Sequence, residues 1–267
     1  MPEPIVVLDQ SSGREPLPPS SRARRVRSEA QVREAFASSR TGTSVWLAPF
    51  ADGLRLLASV AERSARADRR LLVMQEVGCD RRSWLQTLFR SVVSPDHGDC
   101  MLPRKELLEV LTADNRDELF VAGVLDRADG MVVLFRGTLE AVPLPLSWFP
   151  PAVARGAKTK LDLKVTDFGQ TVRLGDYEAS THAILYDLDP VYRRRAKKRL
   201  VAQDQSFGGA LRRLRNLRGL PRSAFEPALT AREVARIEHG KVARPRSATV
   251  AVLARRLRVK PEEIASY

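Results

Sequence analysis

The side chains best able to do chemistry are the arginines and lysines of the last 77 residues. Residues 191–267 hold 20 of the 45 Lys and Arg but only 6 of the 32 Asp and Glu, whereas residues 1–190 hold 25 basic and 26 acidic residues. The net charge of +13 therefore belongs to the C-terminal segment. Positive charge confined to one segment points to a polyanionic partner, and a guanidinium meets phosphate oxygens or the O6/N7 edge of guanine with two donors at once. A membrane surface fits less well, because no strongly apolar helix face with Trp or Phe accompanies the basic residues.

Other chemistry finds no support. Cys79 and Cys100 are too far apart for a CxxC motif, and His97, His182 and His239 are scattered. No HExxH, phosphate-binding glycine loop or GxSxG occurs, so no catalytic, metal or cofactor site is expected. Asp187 and Asp189 flank a turn before Pro190 and read as a cap or loop rather than a catalytic pair. Trp148, in PLSWFP, reads as an anchor in a β-core. No apolar run approaches the roughly 18–20 residues that span a bilayer, and MPEPIVVLDQSSG has no basic start, so the expected location is cytoplasmic.

The elements that must position the basic residues begin at Pro190. VYRRRAKKRLVAQDQ reads as a basic linker helix over 191–205. FGGALRRLRNLRGL then places Phe207, Leu211 and Leu214 on one helix face, with Gly219 as its stop. Pro221 suits the first turn of a short second helix holding Phe225. Thr230-Ala-Arg-Glu233 is a capping box that starts a third helix, with Val234 and Ile237 inward and Gly240 at its end. SATVAVLARRL forms a fourth and KPEEI a fifth.

Upstream, residues 1–28 read as a flexible Ser-, Pro- and Arg-rich tail ending in SRARRVR. Residues 29–115 alternate helix-like and strand-like segments: SEAQVREAFA, DGLRLLASVAERSARA, SWLQTLFRSVV and PRKELLEVLT against SVWLAPF and RRLLVMQEV. Residues 116–190 are short β-rich runs, HAILYDL among them, parted by turn formers such as Asp129-Gly130 and Gly175. The expected fold class is α+β: an N-terminal α/β region, a middle antiparallel β unit and a C-terminal all-α five-helix domain.

Three segments together, LRRLRNLRGL, ARIEHGK and LARRLRVKPEEI, resemble the Cro/C1-type helix-turn-helix domain, also called the xenobiotic-response-element type, over residues 206–267. That resemblance implies a third helix lying in the major groove of double-stranded DNA, with a homodimer reading a near-palindromic site. It assigns base or backbone contact to Arg222, Thr230, Arg232 and Arg236, and phosphate tracking to Lys241, Arg244 and Arg246 in the loop that follows. Arg232 is the first choice as base reader, Thr230 serves equally as a helix cap, and Glu233 completes that cap. Arg215 and Glu238 match a pair that bridges the first and third helices. Phe225–Thr230 departs from the family pattern: it is about two residues shorter and lacks the turn glycine, which trims helix two or changes the crossing angle. Gly130–Asp189 loosely resembles an uncharacterised bacterial domain found beside such units, with no activity implied.

The resulting expectation is a bacterial-type transcriptional regulator, not an enzyme. Its N-terminal region would sense a small-molecule effector, bind a protein partner or dimerise. The alternative is an antitoxin-like protein that binds a partner through that region and represses its own operon.

Overall fold

The computed structural model describes residues 5–9, 22–38, 43–59, 68–95, 100–150 and 162–267. The chain is of mixed α+β class and divides into two compact units, residues 1–188 and 189–267.

The first unit starts with a parallel sheet. Five strands, β1 (Ile5–Leu8), β2 (Ala23–Val26), β3 (Thr43–Ala48), β4 (Asp68–Val73) and β5 (Ser91–Val93), lie in the order β2-β1-β3-β4-β5. Every neighbouring pair is parallel. Parallel sheets are covered on both faces, so their strands are continuous apolar runs; IVVL is wholly buried and TSVWLA is buried after its first residue. The crossovers use α1 (Glu29–Ser38), a 3-10 segment (Ala51–Ser59) and α2 (Cys79–Leu85). An aromatic cluster fills the core, with Phe36 4.7 Å from Trp46 and Phe89 5.7 Å from both. The buried Arg69 donates to the Phe36 carbonyl at 2.9 Å and stacks on its ring.

This sheet corrects the expectation of a flexible tail over residues 1–28. Ile5–Leu8 is an inner strand, and Asp9 at its end is buried and receives Arg27 at 3.1 Å and Arg25 at 3.6 Å. Two basic residues of SRARRVR are thus bound to a carboxylate of the sheet.

The antiparallel part contains a four-stranded sheet, β6 (Cys100–Met101), β7 (Phe120–Asp126), β8 (Met131–Arg136) and β9 (Ala141–Pro145), and a three-stranded one, β10 (Leu163–Thr166), β11 (Thr171–Leu174) and β12 (Tyr177–Ser180). Inward and outward residues alternate along β8 and β9, as a half-covered sheet requires. α3 (Arg104–Thr112) precedes β7. The division expected at residue 115 is not where the sheets part, because Cys100 and Met101 already pair with β7. SWLQTLFRSVV is not one helix: α2 stops at Leu85 and Ser91–Val93 is an edge strand. HAILYDL is not a strand either; α4 (Thr181–Leu188) buries Thr181, Ile184 and Leu185 at helical spacing. The core anchor in PLSWFP is Phe149, whereas Trp148 is half-buried and donates to Asp187 at 3.2 Å. His97 and the second half of DGLRLLASVAERSARA lie outside the described residues.

The second unit is helical. α5 (Pro190–Gln203) is capped by Asp189, whose carboxylate accepts from the Val191 and Tyr192 amides. α6 (Phe207–Leu217), a 3-10 turn (Arg222–Phe225), α7 (Ala231–Glu238), α8 (Ser247–Leu257) and a final 3-10 turn (Pro261–Ser266) follow. The expected five helical elements are present at their expected places, but the second and fifth are 3-10. Pro227 explains the second, since a proline disfavours the helical region for the residue before it, and Glu226 is extended at φ −68°, ψ 151°. Leu211, Leu214, Phe225, Val234, Ile237, Leu253, Leu257 and Ile264 form one core.

Candidate nucleic-acid interface

α7 is the element that presents the sequence-predicted residues, and its position is set by α6. Gly208 lets the two helices touch: a Cβ there would lie 2.2 Å from the Ile237 carbonyl oxygen, closer than any side chain can sit. Beside this contact Glu238, fully buried, accepts from Arg215 Nε at 2.5 Å and Nη2 at 3.2 Å. Arg215 also donates to the Leu220 carbonyl at 2.7 Å, and Arg212 donates to the Glu238 carbonyl. Burial pushes the Glu238 carboxyl up, but the hydrogen bonds from Arg215 and Arg222 outweigh it and hold the group below its ordinary value. The bridge that the resemblance implied is therefore present, and it is doubled.

The second arginine on Glu238 is Arg222, whose Nε donates to Oε2 at 2.8 Å. Arg222 was expected on the DNA-contact side. Its Nε edge is instead engaged on the buried carboxylate, while its side chain keeps 37% exposure. The resemblance signalled only the Arg215 pair; Arg222 shares the same carboxylate, and Arg212 binds the Glu238 backbone carbonyl.

The start of α7 is closed by its own cap. Thr230 Oγ1 accepts from the Glu233 amide at 3.2 Å and donates to the Glu233 carboxylate at 2.8 Å, which also accepts from the Thr230 amide at 2.8 Å. The Thr230 amide and hydroxyl, in that order, lower the Glu233 carboxyl. Thr230 thus has its hydroxyl engaged within the capping box, the role the sequence also allowed.

The remaining expected residues differ from these. α7 buries Val234, Ile237 and Glu238, so Arg232 in its first turn and Arg236 one turn later face outward. Lys241, Arg244 and Arg246 are exposed in the segment between α7 and α8. Among the described residues none of these five cations has an ion-pair partner. The structure thus sets five exposed positive side chains on one helix and the segment that follows it, above a core that fixes the helix. Five donors of this kind match a row of phosphates and base edges better than a single small anion.

Among the described residues no group of three or more His, Cys, Asp or Glu side chains is placed to hold a metal ion. No helix of the described residues is long and apolar enough to cross a membrane. No protein-family model, no curated protein and no solved structure matches the chain.

Proposed function

We propose that the chain is a sequence-specific double-stranded DNA-binding transcriptional regulator, and that residues 206–267 act as a Cro/C1-type helix-turn-helix domain. The observation that carries this reading is the set of exposed cations with no ion-pair partner among the described residues, Arg232, Arg236, Lys241, Arg244 and Arg246, on α7 and its following segment. The major groove admits an α-helix and shows a distinct donor and acceptor pattern for each base pair. With α7 in that groove, Arg232 in the first turn reads a base edge, and Arg236 lies one turn further on the same side. Lys241, Arg244 and Arg246 neutralise the flanking phosphates, which position the helix without specifying sequence. Arg222 and Arg215 hold α7 through Glu238. Thr230 caps it.

The family resemblance adds a homodimer on a near-palindromic site, with the two reading helices about one turn of DNA, ~34 Å, apart. The first unit then supplies effector sensing, partner binding or dimerisation, and a cytoplasmic location follows from the regulatory role.

Selection of duplexes from a random pool by the full chain tests the reading. The expected outcome is an enriched, near-palindromic sequence with a regular half-site spacing; recovery of unenriched DNA contradicts it. Replacing Arg244 and Arg246 together with Ala is expected to weaken binding to every duplex and to reduce the salt slope by about 1 for each lost phosphate contact. An unchanged slope removes both from the interface.

A further inference from the structure

The second unit holds a basic cavity that the proposed DNA contacts do not use. Its volume is about 520 Å³, and its walls come from the end of α6, the 3-10 turn after it and the end of α8. No residue of α7 or of the segment carrying Lys241, Arg244 and Arg246 lines it. Four arginines do: Arg218, Arg255, Arg256 and Arg258. The apolar part of the wall is Leu220, Phe225, Ala228, Val252 and Leu257, of which Phe225 and Leu257 are buried.

The charges around this cavity are one-sided. The only acidic residue in its lining is Glu226, whose carboxylate accepts from the Ala231 amide at 3.4 Å. Arg256 donates to the Ala224 carbonyl, which ties the end of α8 to the 3-10 turn and so fixes two walls. Arg218, Arg255 and Arg258 are exposed and have no ion pair among the described residues. Like charges gathered around a concavity with apolar walls raise the positive potential there, and an anion that fills it relieves their repulsion.

Arg258 is placed at the cavity by the end of α8. It ends α8 in the left-handed conformation, at φ 56° and ψ 48°. That position favours glycine, because a Cβ crowds the following carbonyl. There the backbone closes the last turn of α8, with the Arg258 amide on the Arg255 carbonyl at 3.3 Å and the Val259 amide on the Ala254 carbonyl at 3.1 Å, and the Arg258 side chain lines the cavity.

We propose that this cavity binds a small organic anion made of an apolar ring or chain carrying a phosphate or carboxylate group. The acidic group is held by Arg218, Arg255 and Arg258, and the apolar body lies on Leu220, Ala228 and Val252. A volume of this size suits a ligand of metabolite dimensions rather than a single inorganic ion. The site stands on the cavity and its arginines, not on the DNA-binding reading, and its test needs no DNA.

The test uses the full chain and the fluorescence of 1-naphthyl phosphate, with 1-naphthol and inorganic phosphate as separate titrations. Saturable binding of 1-naphthyl phosphate, with weaker binding of either half, is expected. Arg218→Gln with Arg255→Gln is expected to weaken it by about tenfold or more. Arg258→Gly is the sharper variant: glycine relieves the left-handed backbone, so the melting temperature holds or rises while affinity falls. Lys164→Gln, in the other unit, removes one charge and leaves binding unchanged. Absence of saturable binding, or binding that all three arginine replacements leave intact, overturns the proposal. It is equally overturned if a random-sequence duplex displaces the probe and Arg258→Gly loses duplex affinity in the same proportion, since the arginines then belong to a DNA surface.

Discussion

The two units treat their arginines differently. In the first, arginines around the parallel sheet are paired with carboxylates: Asp9 receives Arg25 and Arg27, and Asp68 receives Arg70 at 2.7 Å and Arg90 at 3.7 Å. Arg70 holds the Asp68 carboxyl below its ordinary value, and Arg70 also donates to the Thr138 carbonyl, linking the parallel sheet to the turn before β9. In the second unit two groups of arginines contrast. Arg212, Arg213, Arg215, Arg222 and Arg256 are engaged on backbone carbonyls or on Glu238, while Arg232, Arg236, Arg244 and Arg246 are exposed and have no ion-pair partner among the described residues. Net charge alone points to the second unit. The engaged set is not available to a polyanion, and this is why location within the fold decides more than the size of the excess.

The comparison can be broken most severely at Glu238. Glu238→Ala leaves Arg215 buried without its carboxylate and also releases Arg222. Losing one partner of a buried pair costs about 3–5 kcal/mol, to be read from urea unfolding of the full chain; a loss near zero means the bridge does not hold α7. In the sheet unit, Asp9→Ala removes the carboxylate that Arg25 and Arg27 share. A stability loss of at most about 1 kcal/mol is expected, because Arg27 is exposed and Arg25 only half-buried, so water meets their donors, with duplex affinity unchanged. Reduced affinity in that variant would show that the first unit's arginines also serve the DNA-binding reading.

A smaller effect follows from acid. A carboxyl whose value is lowered by folding stabilises the folded chain above its ordinary value, and the stabilisation disappears as pH falls through the lowered value. Glu238 and Glu233 are both lowered from 4.5, so the melting temperature is expected to decline below that pH. The Glu238→Gln variant should decline less steeply over the same interval, and equal slopes would remove Glu238 as a source of the acid sensitivity.

Much of the second unit was legible because its signals are local. A capping box, a stop glycine and apolar residues at helical spacing each lie within a few residues of what they specify. Even the shortened second helix was written in Pro227. The errors in the first unit have the opposite origin. Ile5–Leu8 is a strand because it pairs with Trp46 and Leu47 far along the chain, and a four-residue apolar run before a Ser- and Pro-rich stretch shows nothing of that partner. Thr181, Ile184 and Leu185 did carry a helical spacing, but β-branched and aromatic composition concealed it. At the candidate site the sequence listed arginines without distinguishing bound from unbound ones. Arg222 and Arg232 look alike until Glu238 is seen to face the first.

The proposal rests on α7 as the reading helix, and Arg232→Ala tests it most directly. Binding of the full chain and this variant to the selected duplex and to a random duplex of equal length would be compared at fixed salt. The account predicts a loss of about 1–3 kcal/mol on the selected duplex with little change on the random one. Equal losses on both would make Arg232 a phosphate contact, and no loss on either would take α7 out of the groove.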